Sequence, residues 1–267
     1  MNILVCIKQV PDTTEIKIDP VKNTLIRDGV PSIVNPFDTY ALESAARIKD
    51  NNPDAKIVVV TMGPPQAEKA LRECLAIAAD KAYLVTDRAF GGSDTLATSY
   101  VLRKTVEKLE TLEGKFDAIF CGKQAIDGDT GQVGPELAEW LGLPQVTNCW
   151  EVEVAGDSFK AKKQTDDGFE IIGVKMPCLI TYTQPAWEVR YPNIKRKLAA
   201  NKAEVPQITV ADLADVEEVR LGLNGSPTKV KKSFVPPKRE GGIKIEEETP
   251  EEGAKKLFKM LNDASII

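Results

Sequence analysis

Between Phe116 and Pro144 the chain reads FDAIFCGKQAIDGDTGQVGPELAEWLGLP, and the middle of this stretch is dense in groups that can hold an anion or a polar ligand. Gly122, Gly128 and Gly131 permit close backbone approach, Thr130 and Gln132 offer side-chain donors, and Asp127 and Asp129 offer carboxylates. The chemistry available to such a set is recognition: free N–H groups at a helix start bind phosphate. Two readings stand. In one, the loop is a tight turn whose Asp and Thr residues cap the helix that follows. In the other, it cradles a nucleotide, although the residues match neither GxxxxGK[ST] nor GxGxxG. Phe90-Gly91-Gly92-Ser93-Asp94-Thr95 poses the same choice. The hydroxyls of Ser93 and Thr95 can meet a phosphate, or Asp94 or Ser93 can cap a helix.

The elements that must position these loops follow from apolar spacing. Phe116–Cys121 reads as a buried strand and Val133–Leu141 as a helix, so the first loop is a strand-to-helix elbow. Ile3–Val10 is an apolar strand closed by Pro11-Asp12, and Glu15–Ile18 with Thr24–Arg27 reads as a hairpin about Asp19–Asn23. At Asn35-Pro36-Phe37-Asp38 the chain breaks, with Asp38 placed to cap a helix whose inner face is Ala41, Leu42, Ala45, Ala46 and Ile48. Strand Lys56–Met62 leads through Gly63-Pro64-Pro65 into a second helix. Strand Lys81–Thr86 leads through the second glycine loop into a helix at Asp94–Leu109. Four strand–helix units before residue 145 predict a parallel sheet. After Pro144, Val146–Val154, Ser158–Lys163, Glu170–Lys175 and Cys178–Tyr182 read as strands around polar turns, which predicts an antiparallel part.

From Thr183 onward the spacing weakens. Tyr191–Lys202 is a basic, solvated stretch, Leu221–Ser233 and Pro236–Gly242 are extended and turn-rich, and Pro250–Leu261 is an amphipathic helix with Ala254, Leu257, Phe258 and Leu261 on one stripe. The expected fold is α/β: a Rossmann-like, mostly parallel sheet with helices on both faces, an antiparallel extension and a C-terminal arm. Residues 1–190 are expected to form the ligand-binding domain, and 191–267 a basic segment and the C-terminal arm.

Composition narrows the chemistry. A chain of 267 residues with 42% hydrophobic content can bury a large core, and its net charge of −5 disfavours nucleic acid and anionic membrane as partners. There is no histidine, so hydrolytic triads and the commonest base near neutral pH are missing. Cys6, Cys74, Cys121, Cys149 and Cys178 are scattered without a CxxC pair, which suits buried thiols in a reducing cytoplasm and no metal site. The apolar run Ile3–Ile7 is too short for a signal or a membrane span.

GKQAIDGDTGQVGP at the elbow, with IKQVPD at 7–12, NPFD at 35–38, TMGP at 61–64 and LGLNGSPT at 221–228, resembles the β subunit of electron-transfer flavoprotein over nearly the whole chain. The resemblance implies an adenine-nucleotide-binding α/β subunit that pairs with an α subunit. It places at the nucleotide Cys6, Asn35, Phe37, Asp38, Met62, Ser93, Asp94, Thr95 and Thr98. From the elbow it adds Lys123, Gln124, Ala125, Ile126, Asp127, Gly128, Asp129, Thr130, Gly131, Gln132, Val133 and Gly134; no residue is assigned a catalytic role. The segment GGSDTLATS resembles that of flavin-bifurcating members, in which FAD occupies the place that AMP takes in simpler ones. Gly128 stands where AMP-holding members carry a further carboxylate. The implied ligand is FAD, with NAD(H) as electron donor or acceptor and ferredoxin and a flavin-dependent dehydrogenase as partners. Tyr191 stands where many members carry leucine in the loop that recognises the dehydrogenase. Two other readings remain: an AMP-holding structural subunit, and an ATP-using enzyme of the same fold.

Overall fold

Strands covered on both faces are apolar without alternation, and those of this chain line up side by side in parallel. The computed structural model of the chain describes residues 1–12, 31–231 and 241–267. In chain order the first elements are β1 (Asn2–Cys6), β2 (Gln9–Pro11), β3 (Ser32–Val34), α1 (Pro36–Asn51), β4 (Lys56–Met62) and α2 (Glu68–Ile77). Next come β5 (Lys81–Val85), α3 (Thr95–Glu113), β6 (Ala118–Gly122), α4 (Val133–Leu141), β7 (Gln145–Ala155), β8 (Ser158–Thr165), β9 (Gly168–Lys175) and β10 (Cys178–Tyr182). Helix α5 (Ile194–Lys202), strand β11 (Gln207–Ile208) and helix α6 (Pro250–Asp263) complete the order.

A nine-stranded sheet runs β11-β5-β4-β1-β6-β10-β7-β8-β9, parallel from β11 to β7 and antiparallel from β7 to β9. The fold is therefore the expected α/β architecture. The chain leaves β1 towards β4 and β5 on one side, then returns to add β6 on the other. Strand order reverses between β1 and β6, and in such sheets that crevice, outside the carboxyl ends of the strands, is where ligands bind.

Because strand side chains alternate, the two faces have separate cores. Ile3, Val5, Ile57, Val59 and Phe120 pack with Leu42, Ala45 and Leu71 of α1 and α2. Leu4, Val58, Val60 and Ile119 pack with Tyr100, Val101 and Leu137 of α3 and α4. All five cysteines are buried free thiols.

Three expectations need correction or fall outside the description. The apolar run at residues 3–10 is two strands: β1 ends at Cys6, and β2 pairs antiparallel with β3 in a separate two-stranded sheet. The break follows from Lys8, whose backbone N–H donates to the Asp38 carboxylate instead of a neighbouring strand. The hairpin expected at 15–27 lies outside the described residues. The basic stretch at 191–202 contains helix α5, capped by Asn193, whose Oδ1 accepts from the Arg196 N–H at 2.8 Å.

By contact the chain divides into a unit of Met1–Lys232 and a unit of Ser233–Ile267. In the second, α6 starts at the N-cap Thr249, and none of its residues is buried. Among the described residues no helix is long and apolar enough to cross a membrane.

Candidate functional site

The carboxyl ends of β1, β4, β5 and β6 bring the predicted residues to one edge of the sheet. Cys6 ends β1 beside Cys121 of β6, Met62 ends β4, Ser93, Asp94, Thr95 and Thr98 begin α3, and Lys123 to Gly134 form the elbow between β6 and α4. Asn35, Phe37 and Asp38 open α1 at the same edge.

Asp38 was expected to cap α1, but Asn35 stands at the cap position and makes no capping bond with its side chain. Both side chains reach across the crevice instead. Asp38 Oδ2 accepts from the Lys8 N–H at 2.7 Å and Oδ1 from the Gly122 N–H at 3.1 Å, tying the exits of β1 and β6 together. Gly122 has to be glycine for this, since a Cβ there would lie 2.3 Å from Asp38 Oδ1. Burial pushes the Asp38 carboxyl up to about 7, opposed by bonds from Asn35 and the Lys8 and Gly122 N–H groups and by the Lys8 charge. Asn35 is fully buried. Its amide donates to the Gln124 carbonyl at 2.8 Å and accepts from the Ile126 N–H at 3.1 Å, holding the first half of the elbow as a strand neighbour would.

Within the elbow, Asp129 and Gly131 take left-handed backbone angles, φ 51° and 65°. Gln124 Nε2 donates to Asp129 Oδ1 at 2.7 Å, and the Asp129 N–H donates to the Ala125 carbonyl at 2.8 Å. These bonds fix an orientation that L side chains rarely adopt. Gly128 lies at the exposed tip, with nothing within 4 Å of the place a Cβ would occupy. Lys8 reaches in from the β1 exit, its Nζ 2.7 Å from Asp127 Oδ1.

The two glycine loops differ at their helix starts. At α3 the cap residue's N–H and the third N–H of the helix are occupied. Asp94 accepts from the Ala97 N–H at 3.0 Å and from the Thr228 N–H at 3.0 Å, and its own N–H donates to Ser226 Oγ at 2.8 Å. Burial raises the Asp94 carboxyl, but the bonds from Thr228, Ala97 and Ser226 outweigh it and hold the group below its ordinary value. Ser93 Oγ donates to the Phe90 carbonyl at 2.8 Å, and Thr95 Oγ1 lies 3.1 Å from both Gln132 Oε1 and Glu136 Oε1, joining α3 to α4. Helix α4, by contrast, has Gln132 at its N-cap position without a side-chain capping bond. Pro135 has no N–H and the Glu136 N–H donates to the Gln132 carbonyl at 2.9 Å, which leaves the Val133 and Gly134 N–H groups for an anion, and the macrodipole favours negative charge there.

Lys8 and Glu136 belong to this edge and escaped the sequence reading. The available signal was position: Lys8 directly follows an apolar strand, and residues just past the carboxyl ends of parallel strands form the ligand crevice.

A family model for the electron transfer flavoprotein domain matches residues 22–213. The chain belongs to the electron transfer flavoprotein family. It is 51% identical over 266 residues to the electron transfer flavoprotein subunit beta of Clostridium acetobutylicum, covering 100% of both chains. It is 49% identical over 256 residues to the corresponding subunit of Megasphaera elsdenii, covering 95% of this chain and 94% of the relative. With the caffeyl-CoA reductase-Etf complex subunit CarD of Acetobacterium woodii it shares 46% identity over 267 residues and 100% of each chain. Its candidate site, the elbow between β6 and α4, lies within the matched residues.

Proposed function

We propose that this chain is the β subunit of a heterodimeric electron transfer flavoprotein and that its crevice holds FAD, with the pyrophosphate at the α4 start. The observation that carries the choice of ligand is Gly128. Open space above it, with no third carboxylate between Asp127 and Asp129, leaves room and reduces negative charge beside a pyrophosphate. The uncapped start of α4 supports the placement, as does full-length likeness to a subunit of a reductase–Etf complex.

FAD, when bound, supplies the redox chemistry: hydride exchange with NADH or NAD, and division of electrons between ferredoxin and a flavin-dependent dehydrogenase. The chain's own residues position and exclude. The Val133 and Gly134 N–H groups at the α4 start bind phosphate, while Asn35 and Asp38 keep the elbow in register. Buried Cys6 and Cys121 form an apolar floor at the strand ends. Tyr191, 90% exposed, and Ile194, 81% exposed, offer an apolar contact for a dehydrogenase, and the arm offers one for the α subunit.

Denaturing the complex purified with its α subunit and identifying every released nucleotide tests this reading. FAD in excess of one per heterodimer is expected. One FAD with one AMP per heterodimer would overturn it in favour of a structural nucleotide, and metal-dependent ATP turnover by the chain alone would point to an ATP-using enzyme.

A further inference from the structure

Lys8 and Asp127 sit on opposite lips of the crevice between β1 and β6, where strand order reverses. Lys8 follows β1 and Asp127 lies in the elbow after β6. Their ion pair, 2.7 Å from Nζ to Oδ1, therefore spans the place where a doubly wound sheet admits its ligand. The backbone of Lys8 is pinned twice: its N–H donates to Asp38 Oδ2 at 2.7 Å, and its carbonyl accepts from the Asn35 N–H at 2.8 Å. Among the described residues the side chain has no such restraint beyond its pairing. It is 49% exposed, against 12% for Asp127, so the ammonium can swing on a fixed base while the carboxylate stays in place.

We propose that Lys8 is the cation that receives the phosphate charge of the bound nucleotide, and that its pairing with Asp127 is a clasp that exchanges partners as the ligand enters. This rests on the nucleotide reading given above. A pyrophosphate carries two negative charges and more acceptor oxygens than one carboxylate, so it competes well for a swinging ammonium. Through Asp127, Lys8 is tied to the same elbow that leads into the uncapped α4 start. Asp127, left behind, repels the incoming anion and sets the affinity. The clasp thus makes both closure of the empty crevice and selection for phosphorylated ligands depend on one cation.

The full chain is titrated with ADP, FAD, AMP and neutral adenosine at low and at physiological ionic strength. Lys8→Gln is expected to weaken ADP binding about tenfold while leaving adenosine within about twofold, and to flatten the salt dependence. Lys8→Arg should restore most of the ADP affinity, and Asp127→Asn should raise it. Because the Asp38 bond is made by the Lys8 backbone, the side-chain replacement leaves it intact, and a circular dichroism spectrum checks this. Unchanged ADP affinity in Lys8→Gln, an equal loss for ADP and adenosine, or no gain in Asp127→Asn overturns the clasp alone. A wild-type chain that binds none of the nucleotides overturns the nucleotide reading itself.

Discussion

Arg72 and Arg196 each donate to the carboxyl end of the other's helix. Arg72 Nη1 lies 2.6 Å from the Ala200 carbonyl and 3.1 Å from that of Ala203, and Arg196 Nη2 lies 2.8 Å from Ala79 and 3.1 Å from Leu75. A positive group at a helix C-terminus satisfies orphan carbonyls and meets the negative end of the macrodipole. Ala200 is the single buried residue of α5, so the exchange of arginines, not an apolar face, holds this helix on α2. Arg196→Ala should destabilise the domain by about 1–3 kcal/mol and open α5 locally. Faster tryptic cleavage at Lys195, Lys197 and Lys202, with a lower urea midpoint, is the expected result. Cleavage at the wild-type rate would show that other contacts hold α5.

Asp38 gives the stability a pH dependence of unusual sign for a carboxyl. Its folded value of about 7 lies above the ordinary 3.8, so between those limits the folded chain holds a proton that the unfolded chain has released. Stability contributed by the protonated form is present at low pH and is lost as pH rises towards 7. The loss over that range is roughly 4 kcal/mol at 1.36 kcal/mol per unit. Asp38→Asn removes the titration, and it also removes one acceptor for the Lys8 or Gly122 N–H groups. Urea unfolding from pH 4 to 8 should therefore show the wild-type stability falling relative to the variant. Parallel curves would mean that the two N–H bonds offset burial and keep the group ionised throughout.

These two residues mark what the sequence could and could not say. The parallel units were legible because strand and helix periods differ, and β1, β4, β5 and β6 are apolar runs joined to amphipathic helices. The antiparallel β8–β9 hairpin was legible from its turns. Insertion of β10 between β6 and β7 was not, because pairing between strands distant in sequence leaves no local pattern. Helix α5 was missed because arginines dock it, and Ile194 and Leu198 face solvent. At the site, the elbow and the α3 loop stood out by glycine content, yet nothing local distinguished Asp38 as a bridge from Asp38 as a cap. Likewise, the capped α3 start and the uncapped α4 start look alike until Ser226 and Thr228 are brought to Asp94 from more than a hundred residues away.

Two glycines of the elbow region should respond in opposite ways. Gly122→Ala would place a Cβ 2.3 Å from Asp38 Oδ1 and 2.8 Å from the Asp38 and Phe37 backbone, so the bridge must give way. A loss of about 2 kcal/mol or more is expected, because the contact is partly with backbone that cannot rotate aside. Gly128→Asp meets nothing within 4 Å and should change stability by less than about 0.5 kcal/mol. Its added carboxylate should nevertheless lower flavin content of the purified complex through repulsion of the pyrophosphate. Measuring melting temperature and bound flavin on the same samples separates the two effects. Equal flavin occupancy in Gly128→Asp and wild type removes the reason for preferring FAD at this position.

The arm tests assembly. Helix α6 places Ala254, Leu257, Phe258 and Leu261 on one stripe, with Leu257 49% and Phe258 65% exposed. Burying Leu257, Phe258 and Leu261 against a partner would contribute roughly 1.5–3 kcal/mol each before the cost of ordering the segment. Removal of residues 242–267 should thus weaken association with the α subunit by about two orders of magnitude or more. Folding of the sheet should survive, since every strand of the nine-stranded sheet lies before residue 209. Circular dichroism of the truncated chain and its affinity for the α subunit decide the matter together. Wild-type affinity rules out docking through this stripe, whereas loss of the domain's spectrum would assign the helix to the fold of this chain.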